Sequence, residues 1–333
     1  MSIRLEHIAQ ISSGMARDAY LSIRALNIEL ARIPDLVSNP TVGALRMQFW
    51  RDSVTRTLAG TPPKEPVAIL LHTALKSLHE RYPGSSTNTI KVWLMKVINA
   101  REQYMNDQPY PNMDALETYA ENTYSTLSYL TFAALPLHSM AADHLASHLG
   151  KASGIVAVLR GLPLRAFPPP PNLHSNNAGF VEALGGSAGG RQGTVILPLD
   201  IMAECGVKEE EVFRLGADAP GLKDAVFKVA TRANDHLITA REMLKNIKQG
   251  NDAGHDFEYD GHEGHQYTDS SPRTNSQFGD VERGFGVLMS ALPARLWLEK
   301  LEKFDFDVFK PQMLTADWKL PFKAYSVFSR KVI

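Results

Sequence analysis

Apolar residues recur at helical spacing along almost the whole chain. Ile90, Trp93, Leu94, Val97, Ile98 and Met105 fall on one helical face, and Leu222, Val226, Val229, Ala233, Leu237, Leu244 and Ile247 on another. Stripes of this kind face a core. Period-two alternation is nearly absent, the one β-like run being Thr194 to Leu197 ahead of Pro198. Proline and glycine interrupt the pattern at Pro34, Asn39-Pro40, Gly60 to Pro63, Pro83-Gly84, Pro109 to Pro111, Pro136 and Gly161 to Pro163. These breaks predict helices near 15–33, 40–59, 66–81, 87–106, 112–135, 138–160, 219–248 and 281–303. The fold predicted is therefore all-α. Two stretches read as insertions: a Pro-, Asn- and Gly-rich loop at 166–192, and a polar Gly-, Asp-, His- and Ser-rich stretch at 250–277 predicted to be disordered.

Composition narrows the function. With 35 Lys and Arg against 36 Asp and Glu among 333 residues, there is no bulk positive field to hold a polyanion, so no nucleic-acid partner is expected. Cys205 stands alone, which excludes an intrachain disulfide and a thiolate metal site. A hydrophobic content of 44 % with 21 % charged residues belongs to a folded globular chain. No apolar run is long enough to span a bilayer, and Met1 to Ile23 has neither the apolar core of a secretory signal nor a good presequence pattern. Gly-rich phosphate loops, nucleophile elbows and dinucleotide fingerprints are also missing.

Polar residues that could carry chemistry cluster early. One helix bears Arg24, Asn27, Glu29, Arg32 and Asp35 and the next Arg46, Arg51 and Asp52, so they either line a cleft or pair on a solvated face. His144 and His148 have the four-residue spacing of two imidazole ligands, but no metalloprotease glutamate follows; His255, His262 and His265 lie among acids in the second insertion. No metal is assigned to either group. Small and hydroxylated residues between Tyr119 and Ser128 point to close helix approach or to the wall of a cavity. Near the carboxyl end, Phe285, Leu292, Leu296 and Trp297 sit in an apolar stripe flanked by Arg283, Arg295, Lys300 and Lys303. That stripe suits a bundle core, and it also suits contact with an anionic membrane.

Read in order, Tyr20 to Glu29, Arg46 to Asp52, Tyr119-Ala-Glu, Gly154 to Arg160 and Gly193 to Asp200 resemble the squalene/phytoene synthase superfamily over nearly the whole chain. The runs Arg24 to Ala31, Arg46 to Trp50, Ala146 to Lys151 and Phe304 to Phe309 are similar to its branch of mitochondrial complex I assembly factors. The resemblance implies one domain over 1–333: an isoprenoid-synthase-like helical bundle around a central apolar cavity, with two acidic motifs at the mouth that in the synthases hold Mg²⁺. Here the first motif falls on Ala31 and Asp35 in one register and on Asn27 and Ala31 in the other. In the second, Ala157, Gly161, Leu164 and Arg165 replace the expected Asn, Asp and acidic pair, and only Arg160 matches.

The resemblance thus implies a non-catalytic assembly factor for respiratory complex I, peripheral to the matrix face of the mitochondrial inner membrane. Its partners would be complex I subunits or assembly intermediates, with inner-membrane lipid or an isoprenoid as a further ligand and no cofactor. The rival reading is a prenyl transferase using Glu29, Asp35 and Asp52 as substitute Mg²⁺ ligands; a third keeps the cavity only as a lipid-binding site. Three or more carboxylates converging within metal reach would favour the enzyme.

Overall fold

The structure, a computed structural model, describes residues 14–37, 39–83, 87–135, 137, 139–168, 193–251 and 274–333. Among these, every regular element is helical. Helices α1 (Gly14–Leu36), α2 (Pro40–Leu58), α3 (Pro66–Arg81) and α4 (Thr87–Gln103) lie close to the predicted spans, except that α1 runs on through the predicted break at Pro34. Their starts follow from local chemistry. Asn39 caps α2 and Glu65 caps α3, each followed by a proline whose missing N–H is one the first turn does not need. Asn112 caps α5 (Met113–Ala120) by accepting from the Ala115 amide at 2.8 Å.

The predicted 112–135 helix is in fact three segments: α5, a π-helical turn over Glu121–Ser125, and α6 (Thr126–Ala134). Hydroxyls bond back to carbonyls through this stretch, Thr123 to Tyr119 at 2.6 Å, Thr126 to Glu121 at 2.9 Å and Thr131 to Leu127 at 2.7 Å. Helix α7 (Met140–Ala166) is the hub, and it runs on through Pro163, past the predicted break. It packs on α5, the π turn and α6, and on α10 (Leu222–Lys248), α11 (Thr274–Leu288) and α12 (Leu292–Lys303), while α1 to α4 pack among themselves and onto α6. One continuous apolar core results.

Several sequence expectations change. The β-like run at 194–197 pairs with no strand among the described residues: its alternation reflects burial of Val195 and Leu197 in an extended segment tied to the Arg165 carbonyl and the Glu209 carboxylate. Short helices α8 (Leu199–Cys205) and α9 (Glu209–Leu215) and the terminal α13 (Leu320–Arg330) add to the predicted set. Most of both predicted insertions, 169–192 and 252–273, lies outside the described residues, as do His255, His262 and His265. The second is shorter than its composition suggests, since α11 already begins at Thr274.

The membrane reading of 281–303 is also corrected. Phe285, Leu292, Leu296 and Trp297 are all buried, and α11 and α12 spend this stripe on packing against α7. An apolar cavity between α1, α3, α4 and α6, lined by Ile23, Leu71, Leu78 and Leu94 among others, has a volume of about 20 Å³. That is room for roughly one water, not for an isoprenoid chain.

Candidate functional site

The residues expected at the mouth separate into three groups. Asp35 at the end of α1 meets Arg165 at the end of α7 at 3.2 Å, and Arg165 also bonds Asp107, in the turn after α4, at 3.1 Å. Arg165 occupies a place where the synthase pattern calls for an acid. That cation ties Asp35, one of the three carboxylates of the rival reading, to Asp107. Asn27 belongs to a second group: its side-chain oxygen accepts from Arg101 of α4 at 3.1 Å, and Arg101 donates to the Tyr119 hydroxyl at 2.6 Å. Arg51, the third, reaches from α2 to Asn99 and Glu102 of α4, while Asp52 accepts from Gln48 on its own helix. Arg24, Arg32, Arg46 and Arg160 are exposed and Glu29 is half-buried, with no ion pair to any of them among the described residues.

Arg101 is a residue of this candidate site that sequence reasoning missed, although the signal is present: it follows Val97 and Ile98 by four and three positions on the buried face of α4. Its guanidinium lies over the Tyr119 and Tyr124 rings at 5.6 and 5.7 Å, and its Nε is buried without an acceptor. Tyr104, Tyr110 and Tyr119 stack beside it with ring centroids 4.5 to 5.5 Å apart. Burial pushes the Tyr110 and Tyr119 hydroxyls up, so they stay neutral at physiological pH.

The Mg²⁺ of the synthases can be tested against this donor set, and the set does not fit. Hard cations need several converging oxygens. Among the described residues, no three His, Cys, Asp or Glu side chains come together to hold a metal ion. Asp35 and Asp107 share Arg165, and Asp52 is bonded along α2.

Behind the mouth lies a second polar seam. His148 and His236 share a hydrogen bond between their Nδ1 atoms at 3.0 Å, so one ring donates and the other accepts. His236 also faces Glu117 at 3.3 Å, and Arg232 pairs with the same carboxylate. The histidines therefore join α7 to α10 and, through Glu117, to α5. Burial alone pushes the Glu117 carboxyl up, but the His236 ring 3.3 Å away and the hydrogen-bonded Arg232 guanidinium outweigh it and hold the group down at about 2. Because the folded value is depressed, this stabilisation is present above the ordinary carboxylate range and fades as pH falls from 4.5 towards 2. Discounted for partial exposure, Glu117→Gln is expected to cost about 2 kcal/mol at pH 7, a difference that shrinks steadily below about pH 4.5. Urea unfolding of both proteins across that range checks it.

Comparison with known proteins agrees with this architecture. The sequence profile of the squalene/phytoene synthase family matches residues 9–167 and 187–321. The chain belongs to that family. Within it, the chain is similar to NADH dehydrogenase (ubiquinone) complex I, assembly factor 6, of Bos taurus, with 32 % identity over 316 residues covering 95 % of this chain and 75 % of the relative. A homolog of that factor in Drosophila melanogaster is 30 % identical over 68 % of this chain and 60 % of its own length. One in Dictyostelium discoideum is 26 % identical over 71 % and 58 %. A crystal structure of a dehydrosqualene synthase in complex with ligand superposes with a TM-score of 0.60, covering 97 % of this chain and 89 % of that one at 13 % identity. That likeness establishes the family's all-α isoprenoid-synthase fold for this chain.

Proposed function

We propose that this chain is a non-catalytic member of the family that serves as an assembly factor for mitochondrial respiratory complex I, working at the matrix face of the inner membrane on complex I subunits or assembly intermediates. Fold alone does not assign this role, because one scaffold serves many functions. The reading is supported by relatives that carry the assembly-factor name over 95 % of the chain. The observation that carries its non-catalytic half is Arg165, placed between Asp35 and Asp107. Ionising an allylic diphosphate requires its departing charge to be stabilised, and one lost electrostatic contact typically costs ~10²–10³ in rate. A mouth whose acids hold an arginine does not recruit the metal that would do this.

Two assays test the proposal together. Purified protein given farnesyl or geranylgeranyl diphosphate with Mg²⁺ or Mn²⁺ is expected to yield no condensed product. Cells lacking the chain are expected to show depleted complex I on native gels. Metal-dependent product, with complex I intact in the deletion, would reverse both halves.

A further inference from the structure

Helix α13 docks through one side only. Leu320, Ala324 and Val327, spaced by four and three positions, face the core and are buried. The other side carries Phe322 at 70 % and Tyr325 at 67 % exposure, and Trp318, four residues before Phe322, is 73 % exposed. They are the three most exposed large apolar side chains among the described residues. Single exposed apolar residues are ordinary, but three aromatics on adjoining turns form a patch. Trp318 and Phe322 meet edge to face with centroids 6.4 Å apart.

Cations outnumber acids beside this patch, where Asp317 and Glu299 are the acids that lie against Lys323. From Trp318 to Ile333 the chain has Lys319, Lys323, Arg330 and Lys331 and no acidic residue, although the whole chain is at −1. The Lys319 ammonium stands 5.5 Å from the Trp318 ring. Lys323 lies at the rim, 3.8 Å from both Asp317 and Glu299. Tryptophan and tyrosine have an apolar body and a polar edge, which suits them to the headgroup layer of a bilayer, and neighbouring cations gain energy from anionic lipid. No helix among the described residues is long and apolar enough to cross a membrane. Contact through this surface would therefore be peripheral.

We propose that Trp318, Phe322 and Tyr325 form a docking surface for an anionic phospholipid bilayer, with Lys319, Lys323 and Arg330 meeting the lipid phosphates. The face is exposed and aromatic, and from Trp318 to Ile333 its helix carries cations and no acid, which favours a charged lipid plane over a protein groove as its occupant. The proposal deepens the membrane part of the reading above by naming the surface. It is tested on purified protein, so its failure is separable from failure of the assembly role.

The experiment is co-flotation of the full chain with vesicles of phosphatidylcholine alone or of phosphatidylcholine with cardiolipin. Wild-type protein is expected to float with the anionic vesicles, to float poorly with neutral ones, and to be released by salt. Trp318→Ser/Phe322→Ser/Tyr325→Ser is expected to weaken anionic binding by about tenfold or more, and Lys319→Glu/Arg330→Glu to weaken it while leaving the aromatic patch in place. All five side chains are exposed, and an unchanged circular dichroism spectrum and melting temperature confirm that the variants fold. Wild-type protein that stays off both vesicle types overturns the proposal. So does anionic binding that survives the triple substitution. If the triple variant loses complex I intermediates from mitochondrial extracts while lipid binding is absent throughout, the face belongs to a protein partner and the lipid assignment is wrong.

Discussion

Gly150→Leu is expected to abolish the folded state at physiological temperature. Gly150 lies on α7 where it crosses the π turn, and a Cβ there would sit 2.5 Å from both the Cα and the amide nitrogen of Ser125. Neither is the movable end of a side chain, so the helices must separate. One turn on, a Cβ at Gly154 would lie 2.8 Å from the Cα of Ala120, which leaves no room to slide the pair past each other. Overpacking by a methyl group typically costs ~1–3 kcal/mol, and a leucine here should exceed ~4 kcal/mol, a large part of the ~5–15 kcal/mol that holds a domain together. Gly161, on the same helix, supplies the control, because a methyl group added there would meet nothing within 4 Å. Gly161→Ala should be neutral or stabilising by up to ~1 kcal/mol through helix propensity. Urea unfolding of the two variants reads the contrast, and similar midpoints would show that close approach at the π turn does not hold the bundle together.

The second large effect is expected at Glu121→Leu. Glu121 opens the π turn, and its two carboxylate oxygens accept from Tyr129 at 2.6 Å and from Ser147 of α7 at 2.9 Å. Tyr129 and Ser147 are both buried, so leucine takes the charged acceptor from two hydroxyls that water does not reach. An orphaned buried partner of a charged group costs ~1–3 kcal/mol, so the loss should reach about 3–5 kcal/mol. Glu121→Gln retains an acceptor and should cost less than half as much. A double-mutant cycle with Tyr129→Phe separates the pair: coupling near zero would mean that this hydrogen bond is incidental.

Both predictions turn on a segment that the sequence conceals. Helices α1 to α4 and α10 are legible to within a few residues, because an apolar stripe together with a proline or glycine break is a local signal that the tertiary fold has no reason to override. The π turn leaves no such mark: its hydroxylated run suits continuous helix as well, and only the approach of α7 at Gly150 and Gly154 decides between them. Helices α8 and α9 are seven residues each, too short for periodicity to register. Of the candidate site, Asp35 and Asn27 stand out locally as polar residues on an amphipathic helix, but their partners, Arg165 and Arg101, lie 130 and 74 positions away. His236, which completes the seam begun by His148, is 88 positions from it. Pairings at that range are made by the bundle and are invisible to any local pattern. The stripe at 281–303 shows the converse limit, since amphipathicity specifies an apolar face without saying whether protein or lipid covers it.

We propose that the mouth of this synthase fold is closed by its own charges and that the chain acts as a scaffold. Complementation with Asp35→Asn/Arg165→Gln tests it most directly. This variant removes Asp35 together with the arginine that pairs with it, and it also takes that arginine from Asp107, so its fold is checked by circular dichroism and melting temperature before the gel is read. Expressed in cells lacking the chain, it is expected to restore complex I on native gels to the wild-type level. Failure to restore it by a stable, correctly folded variant, alongside metal-dependent prenyl transfer by the wild type, would contradict the account and return Asp35 to a catalytic role.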